Sequence, residues 1–178
     1  KILWTGNETL SHRITKDSFN RISSILNHEI IIWDNVPVND FKGDKELLFI
    51  APYENRSPHL CENNLEGIVL NPMDIWEASK FTLASFSQYA FNADSFRGKD
   101  DFKKAISSIV SKHYVDDFYV FSQYFRNSRV SNSLPFNLIH MLNKNDIDGI
   151  DNELNKLFNA TKNIKNSKER KLLKSIMP

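Results

Sequence analysis

Ile30-Ile31-Ile32-Trp33-Asp34-Asn35-Val36-Pro37-Val38-Asn39-Asp40-Phe41 joins an apolar, β-branched half to a polar half led by an aromatic. The isoleucines suit a buried strand, and the residues after them suit a loop whose side chains hydrogen-bond a small polar ligand. A strand with its chemistry at the exit is how a (β/α) barrel builds a site.

Upstream, Ile2 to Thr5 reads as a short buried strand, with Gly6-Asn7 turning the backbone. Thr15 is an N-cap for a helix over Lys16 to Leu26, whose Phe19, Ile22, Ile25 and Leu26 recur at helical spacing before Asn27 ends it. Strand, helix, strand predicts a parallel pair with a covering helix. Downstream, Leu47-Leu48-Phe49-Ile50 is a third short apolar run, closed by Ala51-Pro52 and a polar loop through His59. Leu65 to Leu70 is the next strand, stopped by Asn71-Pro72 because a residue before proline prefers an extended conformation. Asp74-Ile75-Trp76-Glu77 has capping-box spacing and predicts a helix from Ile75 to Phe91, with Trp76, Leu83, Phe86 and Tyr89 packed on the sheet.

From Asn92 to Lys99 the residues become small and polar, which places a boundary between segments 1–92 and 99–178. Beyond it the periodicity is helical over Asp101 to Tyr114, Val115 to Arg126, Leu134 to Leu142 and Ile147 to Asn163, predicting a small helical domain or stalk. Phe118, Val120, Phe121, Tyr124 and Phe125 are too many for one narrow stripe, so that helix is expected to be covered on more than one side. The tail from Lys162 to Pro178 is basic and thinly apolar, and reads as a solvated helix or frayed end.

Composition excludes little. With 178 residues, 25% charged and a net charge of +1, the chain can bury a substantial core and carries no nucleic-acid or membrane-surface footprint. A single cysteine, Cys61, rules out an internal disulfide. The histidines at 12, 28, 59, 113 and 140 lack metal-ligand spacing, so neither metal nor cofactor is expected. The sequence opens with Lys1 inside what reads as a core strand, which suggests a piece of something longer.

The central stretch resembles the Trp-Asp-Asn-x-x-x-Asn-Asp signature of family 84 glycoside hydrolases, the β-N-acetylglucosaminidases that include bacterial hyaluronidase-like enzymes and O-GlcNAcases. The likeness extends to Leu3-Trp4-Thr5-Gly6, to Pro52-Tyr53-Glu54-Asn55-Arg56-Ser57, and to Gly67-Ile68-Val69-Leu70-Asn71-Pro72. These four segments keep the family's order and spacing, and beyond Phe91 the likeness is loose. It implies an α/β fold, the C-terminal portion of a (β/α)8 barrel followed by the helical domain. The compartment stays open: extracellular if the chain is hyaluronidase-like, cytoplasmic if it is O-GlcNAcase-like.

Four side chains are candidates for binding sugar. Trp33 offers a flat apolar wall, which the resemblance places around an N-acetyl group, although a core tryptophan at a strand end would look the same. Asn35 presents both donor and acceptor to an acetamide, or caps a turn. Asp40 can accept two hydroxyl hydrogen bonds and by resemblance grips the O4 and O6 side of the sugar; its other reading is a surface aspartate beside Lys42 and Lys45. Asn71 stands at a strand end and by resemblance contacts the sugar hydroxyls, or simply terminates the strand. Asp34 and Asn39 read as loop-fixing residues, and Tyr53 and Arg56 as loop anchors.

The resemblance also implies a mechanism in which the substrate's acetamido oxygen attacks the anomeric carbon to give an oxazoline, run by two adjacent aspartates after an earlier strand. That pair lies in a missing N-terminal portion, so no residue of this chain is expected to be catalytic. Asp100-Asp101 and Asp116-Asp117 do not fill the role, the first reading as a helix start and the second as part of an aromatic-rich helix. The expected partners are an N-acetylglucosamine-containing glycan or glycoprotein and the N-terminal portion. A non-catalytic carbohydrate-binding or protein-interaction module, with the aromatic helical half as its contact surface, is the alternative; a different barrel hydrolase would cleave other glycosides instead.

Overall fold

The structure, a computed structural model, describes residues 1–41, 43–45, 47–60, 64–132 and 136–177. Strands β1 (Ile2–Trp4), β2 (Ile30–Asp34) and β3 (Leu65–Leu70) form a parallel sheet in the order β1-β2-β3. Helix α1 (Lys16–Leu26) joins the first two. Thr15 and Ser18 exchange side-chain to backbone hydrogen bonds at its start, and Asn27 closes it in the left-handed region at φ 49°. Phe19 packs on Ile30 and Ile32, with Trp4, Ile22 and Leu26 around them. Ile25 falls to the side of the Phe19–Ile22–Leu26 stripe and is exposed, contrary to the periodicity reading.

Alternation along the strands divides the sheet. Ile30, Ile32 and Asp34 face inward, whereas Leu3, Trp33 and Val69 point to the opposite side and are 60%, 37% and 44% exposed. Leu3 pairs in register with Ile31, and Trp33 with Val69. One face of a parallel sheet is therefore open and largely apolar.

The run at 47–50 adds no strand to this sheet. Its backbone and that of the next residues bond elsewhere: Ile50 N–H to Phe125 O, Tyr53 N–H to Ser85 Oγ, and Ala51 O from Thr82 Oγ1. The hydroxyls belong to α2 (Trp76–Phe91), which buries Phe81, Thr82, Ser85 and Tyr89. The expected capping box does not form: Ile75 occupies the cap position without a side-chain bond, and the Asp74 backbone carbonyl accepts from Trp76 N–H instead. Trp76 is consequently exposed, while Leu83 and Phe86 are half-buried.

The rest is helical apart from one hairpin. Helices α3 (Gly98–Ser107), α4 (Val115–Ser122), α5 (Phe136–Asn143), α6 (Ile147–Lys165) and α7 (Arg170–Ile176) are joined by short turns, two of them single 3-10 turns at Lys112–Tyr114 and Gln123–Phe125. Strands β4 (Asn127–Ser128) and β5 (Ser131–Asn132) form the hairpin, which periodicity does not reveal. The predicted helices over 101–114 and 115–126 each end early, at Ser107 and Ser122. The expected start at Leu134, like Cys61, lies outside the described residues.

Helix α4 is covered from several sides. Phe118 stacks on Phe81 of α2 with centroids 5.7 Å apart, and Phe121 meets Phe125 at 4.7 Å. The tail is helical with most of its basic residues solvated, but it also has a buried edge: Leu173 and Ile176 of α7 lie in the same apolar cluster that holds Phe81, Phe118, Phe49 and Val36. Spaced three apart on one helix face, they give a mostly basic segment an apolar edge.

Candidate active site at the strand exits

Three of the sequence candidates meet at the Asn35 side chain. Its Oδ1 accepts from Trp33 Nε1–H and from Asn71 Nδ2–H, each at 3.0 Å, and its Nδ2 donates to the Thr9 carbonyl at 2.6 Å. An amide oxygen has two lone pairs and an amide nitrogen two hydrogens. Both lone pairs are thus committed within the protein, and one N–H remains. The donor-and-acceptor role expected of Asn35 narrows to that of donor. Trp33 likewise has its N–H engaged and offers only its ring face, while Asn71 retains its Oδ1 and one N–H.

Asp34, the strand neighbour of both Trp33 and Asn35, points the other way into a buried network. Arg56 Nε and Nη2 donate to its two oxygens at 2.7 and 2.6 Å, and Tyr53 OH donates to Oδ2 at 2.8 Å. Both charged side chains are 2% exposed. The remaining guanidinium hydrogens go to the carbonyls of Ser11, His12 and Glu54. Burial pushes the Tyr53 phenol well above its usual range, and the Asp34 charge adds to the effect. For Arg56, burial disfavours the cation, but the hydrogen bond and charge of Asp34 more than offset this, and its pKa is raised. Tyr53 and Arg56 are loop anchors, as their sequence context indicates. They tie the loop after β1 and the 51–57 segment to the end of β2.

Asn39 is also a loop-fixing residue, donating from Nδ2 to Leu47 O at 2.9 Å and to Lys45 O at 3.3 Å. Asp40 follows it with an exposed side chain, outside the Asn35 cluster. The structure thus unites Trp33, Asn35 and Asn71, and carries Asp40 on the same outgoing loop. The Thr9 carbonyl completes the cluster and was not singled out in the sequence, because a backbone acceptor leaves no side-chain signal.

Three of the four adjacent aspartates have structural employment. Asp101 caps Arg97 N–H and pairs with Lys104, which holds its carboxyl below the usual range. Asp116 pairs with Lys103, and Asp117 accepts from Asn163. Asp116-Asp117 lies in the first turn of the aromatic-rich helix α4, as its sequence context indicates. No cluster of three or more His, Cys, Asp or Glu able to hold a metal occurs among the described residues. No described helix is long and apolar enough to cross a membrane.

The arrangement is suited to binding rather than to proton transfer: an aromatic face, free amide valences and an exposed carboxylate suit a polyhydroxylated ring with an apolar side. A family model described as beta-N-acetylglucosaminidase matches residues 1–123, and the chain belongs to that family. The match runs past Phe91, where the sequence likeness loosens, and into the helices. Over 79 residues the chain is 37% identical to the Protein O-GlcNAcase of Rattus norvegicus and to that of Mus musculus, covering 44% of this chain and 8% of each of those proteins. Among solved structures, a mutant O-GlcNAc hydrolase of Thermobaculum terrenum is similar over 98% of this chain and 40% of its own, with TM-score 0.81 and 26% identity. CpGH84B shares the fold at TM-score 0.82 and 22% identity, over 97% of this chain and 32% of its own. The chain therefore spans well under half the length of these relatives.

Proposed function

We propose that the chain forms the sugar-binding side of a β-N-acetylglucosaminidase active site, on the last strands of a (β/α)8 barrel (residues 1–92) followed by a helical domain (residues 99–178). Trp33, Asn35, Asp40 and Asn71 hold the N-acetylglucosamine unit of a glycan or glycoprotein. The observation that carries the reading is the Asn35-centred cluster at neighbouring strand exits, beside an open apolar sheet face. Parallel sheets are covered on both faces in stable folds, so Leu3, Ile31 and Val69 suit packing against the remaining barrel strands.

In this reading the remaining strands, on an N-terminal portion outside this chain, bring the adjacent aspartates. The acetamido oxygen bonds to the anomeric carbon as the glycosidic bond breaks and the leaving oxygen takes a proton from one carboxyl group. Water then opens the oxazoline and returns the proton, with net retention; such substrate assistance departs from the two-carboxylate scheme. Mixing this chain with an N-terminal barrel portion is expected to release aryl alcohol from an aryl N-acetyl-β-glucosaminide, which this chain alone does not do. Asp40→Ala is expected to abolish most of that activity, and activity unchanged by it would overturn the assignment.

A second reading, a non-catalytic interaction module, draws support from α6, where Ile147, Leu154 and Phe158 are 69%, 49% and 65% exposed. The aromatics of α4, by contrast, are core residues. This reading calls for partner binding by the isolated chain and no hydrolysis on complementation.

A further inference from the structure

The hairpin of the helical half reaches the Asp40 loop. Arg129, at the turn between β4 and β5, donates from Nε and Nη2 to the two oxygens of Asp44, the second at 3.2 Å. Its guanidinium carbon lies 4.7 Å from the centroid of the Phe41 ring. The next residue, Val130, is buried, and its carbonyl accepts from His12 Nδ1–H at 2.9 Å. One short hairpin thus touches both the loop after β1 and the loop after β2. The seam between hairpin and loop, lined by Leu10, Asn39, Phe41 and Val130, encloses only about 20 Å³.

We propose that Arg129 is a positioning residue for Asp40. The inference rests on the sugar-binding reading above and extends it to a residue that the family likeness does not mark. Asp40 stands between Asn39 and Phe41. On one side Asn39 closes the loop base through Leu47 O and Lys45 O. On the other, Phe41 and Asp44 are held by Arg129, and Asp44 N–H returns to Phe41 O at 2.8 Å. The Asp40 side chain itself stays exposed. Isolated surface ion pairs contribute little, but a two-pronged Arg–carboxylate contact over an aromatic ring fixes Phe41, the residue next to Asp40. Lysine keeps the charge and loses the fork.

In the enzyme assembled from this chain and its N-terminal barrel portion, Arg129→Ala is expected to raise KM for an aryl N-acetyl-β-glucosaminide roughly tenfold at nearly constant kcat, the scale of one charge-assisted hydrogen bond. Arg129→Lys should recover part of the loss. In an Asp40→Ala background, Arg129→Ala should have no further effect, because its influence runs through that carboxylate. An equal loss in both backgrounds would reduce Arg129 to a general stabiliser and overturn the proposal. If Asp40→Ala itself changes nothing, the sugar-binding reading fails first. Amide exchange in the same assembled enzyme is independent of activity: Arg129→Ala should accelerate exchange at Asp44 and Leu47 and spare Asn71. Unchanged exchange there would also overturn it.

Discussion

Asp34 and Asn35 are neighbours with opposite assignments, and strand alternation separates them. Asp34 turns inward to Arg56 and Tyr53, so Asp34→Asn leaves a buried guanidinium without its counter-charge. Breaking a buried pair from one side costs about 3–5 kcal/mol, which should appear as a large drop in the denaturant midpoint. Tyr53 adds a pH dependence. Its folded pKa is raised, so the neutral phenol contributes stability in full below its ordinary value of 10.0 and loses it as pH climbs beyond that toward the folded value. The melting temperature of the native chain should therefore fall more steeply above that pH than that of Tyr53→Phe, which has nothing to ionise; parallel curves would refute this. The sequence marks Trp33, Asn35 and Asn71 through their positions at strand ends. It is silent on the fact that the Asn35 oxygen is already filled, because the second of its two donors, Asn71, is distant in sequence.

At the scale of elements, local chemistry was readable wherever the partners are local. Thr15, Ser18 and Asn27 announce both ends of α1 because their bonds stay within a turn. Gly6 belongs to the same class: it holds φ +100°, and a Cβ there would collide with the Ser11 side chain. Gly6→Ala should cost on the order of 1–3 kcal/mol as backbone strain and displace the loop whose Thr9 carbonyl anchors Asn35, measurable as a lowered melting temperature. Segment 47–50 is left without an assignment by its sequence for the opposite reason. Its apolar content suits a strand, yet its neighbourhood is closed by hydroxyls of Thr82 and Ser85, about thirty residues away, as the separations of thirty-one and thirty-two confirm. The Asp74 capping box fails similarly, since spacing permits a bond that the observed backbone does not make.

For the molecule as a whole, the core joins the two segments on either side of the 92–99 boundary. Truncation after Asn92 would expose Phe81 and Tyr89 and is expected to leave a chain without a cooperative unfolding transition, by circular dichroism or calorimetry. The open sheet face carries a related expectation: in isolation the chain should self-associate through it, and a chain that stays monomeric at high concentration would contradict that. The placement of α7 against α2 has a bearing on biosynthesis. Residues translated at the end of this stretch complete the cluster that holds Val36, Phe49 and Phe81, so that core cannot close fully until Ile176 has cleared the ribosome. Until then part of its apolar surface stays uncovered, whereas the β1–α1–β2 unit, with its own cluster, can pack early.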